Sequence, residues 1–184
     1  TEYTPRAADP RVGYFTTEHK DLSNSDYEGG HFVRYINRWD LKKADAALEL
    51  SPPENPIVFY VEKTVPVRFR KAVAEGILEW NKAFEQIGIA DAIEVRQQTE
   101  YNEFSELNPG NVNLNFFRWI TSETPFAMGP SRVNPRTGQI LDADIVFDDS
   151  MANSYEEEGQ FFFGDEAFGA PWMEFLQRFD AKHV

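Results

Sequence analysis

AMGPSRVNPRTGQILDADIVFDDSM, residues 127–151, reads as a β-hairpin with a carboxylate-rich second strand. FAMGPSRV forms one arm, NPRTG the turn and QILDADIVF the other arm, with Pro135 suited to the turn and Gly138 able to take a positive φ. Pro130 has no N–H and is expected to interrupt the donors along its arm. In an extended strand Asp142 and Asp144 share one face with Ile140 and Val146, while Leu141, Ala143, Ile145 and Phe147 share the other. Two carboxylates so placed stand roughly 7 Å apart, a separation inverting glycosidases also use. The competing reading is structural: charged side chains near strand ends usually face water. Asp148 and Asp149 close the strand either as hard oxygen ligands for calcium or as a cap for whatever follows.

Upstream, IVFYV is a short apolar run of the kind a strand covered on both faces shows. The period then changes. Phe69, Val73, Ile77, Trp80, Phe84 and Ile87 recur at steps of three and four, predicting one long amphipathic helix. Thr64 is its expected cap, Pro66 sits in its first turn and Gly88 follows its end. AIEVRQQ is the next strand, parallel to IVFYV through a right-handed crossover. After the polar loop TEYNEFSELNPGN, VNLNFFRWI gives a third strand. The fold class is therefore α/β (α+β): a mixed sheet with one long helix.

Residues 1–52 contain two strand-like runs, RVGYFTT and HFVRYINRW, the second alternating Val33, Tyr35 and Trp39 against Arg34 and Arg38. They predict a small β-lobe or extended arm, its aromatic face packed on the main body. Pro52, Pro53 and Pro56 mark a boundary, so the main body is expected over 53–184. From Ser150 the pattern is helical in two pieces around FFFGDEAFGAP, the second placing Trp172, Phe175, Leu176 and Phe179 on one face.

Composition removes several functions. A net charge of -13 repels phosphate backbones, so nucleic acid is not an expected partner. There is no cysteine, hence no disulfide, thiolate nucleophile or Cys zinc site. No window approaches the roughly 18 apolar residues of a membrane span. His19, His31 and His183 are scattered without the spacing of a zinc helix, and this chain is expected to contain neither a complete metal site nor a catalytic residue set. Ser131 lacks a nucleophile elbow, and no glycine-rich phosphate loop occurs.

Three stretches taken together, IVFYVEKTVP, EGILEWNKAFEQIGIADAIEV and FFRWITSETPFAMGPSRVNPRTGQILDADIVFDDSM, resemble the first part of the catalytic domain of large bacterial zinc metalloproteases of the metzincin type. ADPRVGYFTT and RYINRWDL resemble the segment that precedes it. The resemblance spans most of residues 8–151, with WNKAFE and GPSRVNPRTGQILDADI as its most specific phrases. It implies an upper catalytic subdomain: a twisted sheet, a backing helix, and an antiparallel edge strand along which a peptide or protein substrate lies. Phe126, Ala127, Met128, Gly129 and Ser131 would be the substrate-binding residues. The carboxylates of the partner strand would then be supports. The family's His-Glu-x-x-His-x-x-Gly-x-x-His helix does not occur in the 35 residues after Asp149, so the zinc ligands are expected outside this chain, which begins at Thr1 and reads as an excised piece. The resemblance further implies export in a bacterium, and a monomer is expected. A non-catalytic module that captures peptides by strand addition is the alternative.

Overall fold

A computed structural model describes residues 3–23 and 32–155. His31, His183 and the stripe Trp172, Phe175, Leu176 and Phe179 lie outside the described residues. The central element is a five-stranded sheet in the order β4-β3-β5-β9-β6, built from β3 (Ile57–Val61), β4 (Ile93–Gln97), β5 (Asn115–Ile120), β6 (Ala127–Met128) and β9 (Ile145–Asp148). The first four in that spatial order run parallel, and β6 alone is antiparallel, closing one edge against β9. The architecture is the expected mixed α/β one.

IVFYV is apolar throughout because both faces of β3 are covered. Ile57, Phe59 and Val61 join Val65, Ile77, Ile93 and Phe117 in the buried core under the helix, each fully buried side chain contributing about 1.5–3 kcal/mol. On the opposite face Tyr60 stacks on Phe116 at 5.4 Å and meets the edge of Phe104 at 5.3 Å. A second aromatic file, Phe69, Trp119 and Phe147, runs from the helix across the sheet with centroids 5.1 and 5.3 Å apart.

The single long helix is in fact two: α1 (Val67–Leu78) and α2 (Asn81–Gln86). The cause is Asn81, whose amide both accepts from Ile93 N–H at 2.8 Å and donates to Ile93 C=O at 3.0 Å. That docking draws the chain onto β4 and turns Trp80 out, leaving it 65% exposed. Thr64 does not cap α1. Its hydroxyl donates to Glu62, and Pro66 occupies the cap position without a side-chain bond. Gly88 takes φ +83° as the pattern required.

Ahead of the sheet, β1 (Thr16–Lys20) and β2 (Phe32–Ile36) form an antiparallel pair. The first begins later than RVGYFTT suggests, because Asp9 accepts the Arg11 N–H and grips its guanidinium, closing a turn at residues 9–12. Trp39 and Leu41 then pack against the main core, and residues 42–54 reach the Gly88 turn, where Ser51 pairs with Ile89.

Two glycines should respond oppositely to a methyl group. Gly76, inside α1, has nothing within 4 Å of a built Cβ, so Gly76→Ala should raise stability by about 0.5–1 kcal/mol. At Gly88 the same atom would stand 2.6 Å from the Glu49 carbonyl oxygen on a left-handed backbone, and Gly88→Ala should cost more than about 1 kcal/mol. Urea unfolding of the two variants checks both signs.

Candidate functional site: an open sheet edge

The hairpin of the opening stretch is present with one register from Ala127 to Arg132. Ala127 pairs with Phe147 and Met128 with Val146 in the main sheet. On the far side of Pro130, β7 (Ser131–Val133) and β8 (Ile140–Ala143) keep that register, Ser131 with Ala143 and Arg132 with Asp142, until a bulge after Arg132. Pro130 splits one arm into β6 and β7, and Asp144 splits the other into β8 and β9. The two halves remain joined: Asp144 N–H donates to Pro130 C=O at 3.0 Å, and Asp148 N–H to Phe126 C=O at 3.1 Å.

Those two bonds set the parity of the edge. In an antiparallel pair, residues facing the partner with their N–H and C=O alternate with residues facing away. Phe126, Met128, Pro130 and Arg132 therefore point inward, and Ala127, Gly129 and Ser131 present their main-chain groups outward. Pro130 does not interrupt the outer donors as expected, since its missing N–H falls on the inward side. Residues 127–132 are all exposed. Phe126 is half-buried at the start of the arm and does not contribute an outward main-chain group.

The acids do not face water. Asp142, Asp144 and Asp148 are buried, which corrects the solvated reading and also separates the first two from any shared open cleft. Asp142 accepts from the Arg132 guanidinium; burial, and secondarily the neighbouring Asp144, push its pKa up against the pull of Arg132. Asp144 turns back to accept the Phe116 N–H of β5 at 2.9 Å. Beside it, Asn115 accepts the Ala143 N–H at 2.8 Å and donates to Val58 C=O at 2.8 Å. Side chains thus continue the ladder where the hairpin diverges from β5.

Asp148 caps the helical residues 149–155: its Oδ1 accepts the Ser150 N–H at 2.9 Å and the Ser150 hydroxyl. Hydrogen bonds from Ser150 are the main cause that holds its pKa below the usual carboxylate range against the effect of burial, with the neighbouring Ser122 a lesser one. The Ser122 hydroxyl donates to Thr124 C=O, and the buried Asp148 Oδ2 has no hydrogen-bond partner among the described residues. Asp149 accepts from the Thr121 hydroxyl at 3.3 Å. Among the described residues no group of three or more His, Asp or Glu side chains converges to hold a metal.

A cleft of about 300 Å³ at the N-terminal ends of β3 and β5 is lined by Trp39, Asn55, Tyr60, Asn113 and Gln139, among others, and includes none of residues 126–133. No helix among the described residues is long and apolar enough to cross a membrane. Residues 1–44 match a domain of unknown function, DUF5117. Comparison with curated proteins and with solved structures gives no match.

Two sets of variants test these assignments. Asp144→Ala strands the buried Phe116 N–H and should cost about 1–3 kcal/mol, whereas Asp144→Asn keeps an acceptor and should recover most of it. Asp142 and Asp148 should show opposite pH signatures. A raised folded pKa contributes stability at low pH that is lost as pH rises through it, so Asp142→Asn should compare better with the native chain at pH 7 than at pH 3. A lowered folded pKa contributes stability above the unfolded value that is lost as pH falls, so the deficit of Asp148→Asn should be largest at pH 7 and close in acid. Urea midpoints at pH 3, 5 and 7 read out both.

Proposed function

We propose that this chain is the substrate-binding portion of a zinc-dependent peptidase, and that it captures an extended peptide along the outer edge of residues 126–131. The observation that carries the reading is the parity of that edge: the N–H and C=O groups of Ala127, Gly129 and Ser131 all face outward in one unbroken register. A ladder that the described residues leave without a partner strand takes up a further strand. The resemblance in sequence supplies the class of chemistry, and the order of four parallel strands closed by one antiparallel edge is compatible with it. In this reading the zinc ligands come from outside the described residues, whose part is to bind the substrate main chain and fix its direction.

Magnitudes limit what the edge does alone. About six main-chain hydrogen bonds at about 0.5–1.5 kcal/mol each give about 3–9 kcal/mol. Association costs about 4 kcal/mol or more, which leaves at most about 5 kcal/mol and an affinity no tighter than about 0.2 mM. Recognition through main-chain groups is tolerant of sequence, and neighbouring side chains such as Met128 and Arg132 would set preference.

Casein peptides should therefore bind the chain weakly, seen as amide shifts at Ala127, Gly129 and Ser131, without being cleaved. The product of the complete gene should cleave casein in a zinc-dependent manner, and Gly129→Pro, which removes one outward donor, should lower its kcat/KM at least about tenfold. Binding without cleavage by the complete product would favour a non-catalytic peptide-binding module. No binding by either would overturn the reading.

A further inference from the structure

We infer that the N-terminal lobe is a brace that holds the peptide-capturing edge in its register, with Arg38 and Gly138 as the positioning residues; the role in capture rests on the function proposed above. The need for a brace is physical. Beyond Pro130 and Asp144 the hairpin leaves the five-stranded sheet and continues as β7 and β8 alone, and an isolated two-stranded ribbon is marginal in water. The outward groups of Ser131 lie on that part, whose partner strand is tied to β5 at Ala143 by the Asn115 side chain and by no strand pairing.

The lobe supplies the missing neighbour. Arg38 N–H donates to Gly138 C=O at 3.0 Å and Ile140 N–H donates to Arg38 C=O at 2.9 Å, a parallel bridge that occupies the side of β8 facing away from β7. Gly138 is built for this approach: at φ +76°, a Cβ there would meet the Ile36 carbonyl oxygen at 2.5 Å and the Tyr35 Cβ at 3.1 Å. Arg38 is itself anchored within the lobe. Its guanidinium donates to Thr4 C=O at 2.7 Å and lies 4.8 Å over the ring of Tyr3, which is buried and whose hydroxyl donates to Arg38 C=O at 3.5 Å. Residues from both ends of the lobe thus converge on the base of the hairpin turn. The free edge and the braced edge are the two opposite sides of one ribbon, so loosening the second frays the first.

Amide hydrogen exchange on the full chain, without peptide, tests the brace directly. In Gly138→Ala and Arg38→Ala the protection of the Ile140 and Asp144 amides should fall at least about tenfold while that of Glu62 and Gln98, in the core sheet, stays unchanged. Arg38→Lys, which keeps a cation over Tyr3, should retain more of the protection than Arg38→Ala. In the loosened variants casein peptides should bind at least about tenfold more weakly. Unchanged Ile140 and Asp144 protection in both variants, or equal loss at Glu62 and Gln98, would overturn the brace. Local loosening with undiminished casein affinity would overturn its link to capture. Failure of the native chain to bind casein would remove the proposed function, while the exchange data still decide whether the lobe holds the hairpin.

Discussion

Everything distinctive about this sheet depends on one place, the splice where β5 and the hairpin part. There the backbone ladder stops, and Asp144 and Asn115 carry it on: one carboxylate takes the Phe116 N–H, one amide takes the Ala143 N–H and returns a donor to Val58. A buried main-chain group without a partner would cost about 1–3 kcal/mol, so these bonds fix where β8 ends and β9 begins. With that point fixed, the pairing of Asp144 with Pro130 follows, and with it the parity of every residue on the outer arm.

That parity is what turns a carboxylate-rich hairpin into a candidate binding edge. Proline is a common device for blunting an exposed edge strand, yet Pro130 sits where its absent N–H faces β9 and leaves the outward ladder whole. Three acids of the hairpin are inside, each committed: Asp142 to Arg132, Asp144 to β5, Asp148 to the cap of the following helical turn. Burying three carboxylates is tolerable because each finds donors. Their work is to shape the hairpin, and the main chain of Ala127, Gly129 and Ser131 is what the shape presents.

Much of this was legible in the residues. The apolar run of β3, the crossover to β4, the hairpin arms and the left-handed glycines at 88 and 138 all follow from local pattern. What was not legible depends on contacts between distant residues. The apolar stripe from Phe69 to Ile87 continues through Trp80 without a flaw, and only the docking of Asn81 on Ile93, twelve positions away, breaks the helix. Asp144 looks like any strand acid until Phe116, 28 positions earlier, is seen to need an acceptor. Periodicity alone does not show the parity of Pro130 either, since it depends on which residue opposes it. The nearest signal was a small one: Asn115 and Asp144 are polar residues set among apolar strand positions, where an unpartnered side chain would be costly.

The most direct measurement is residue-by-residue amide exchange along the outer arm, by nuclear magnetic resonance. The account predicts alternation: Met128 and Arg132 protected, Ala127, Gly129 and Ser131 exchanging within about tenfold of an unstructured peptide, and the latter three slowing when casein peptides are added. Uniform protection along the arm, the opposite alternation, or protection of Ala127, Gly129 and Ser131 in the absence of peptide would contradict it.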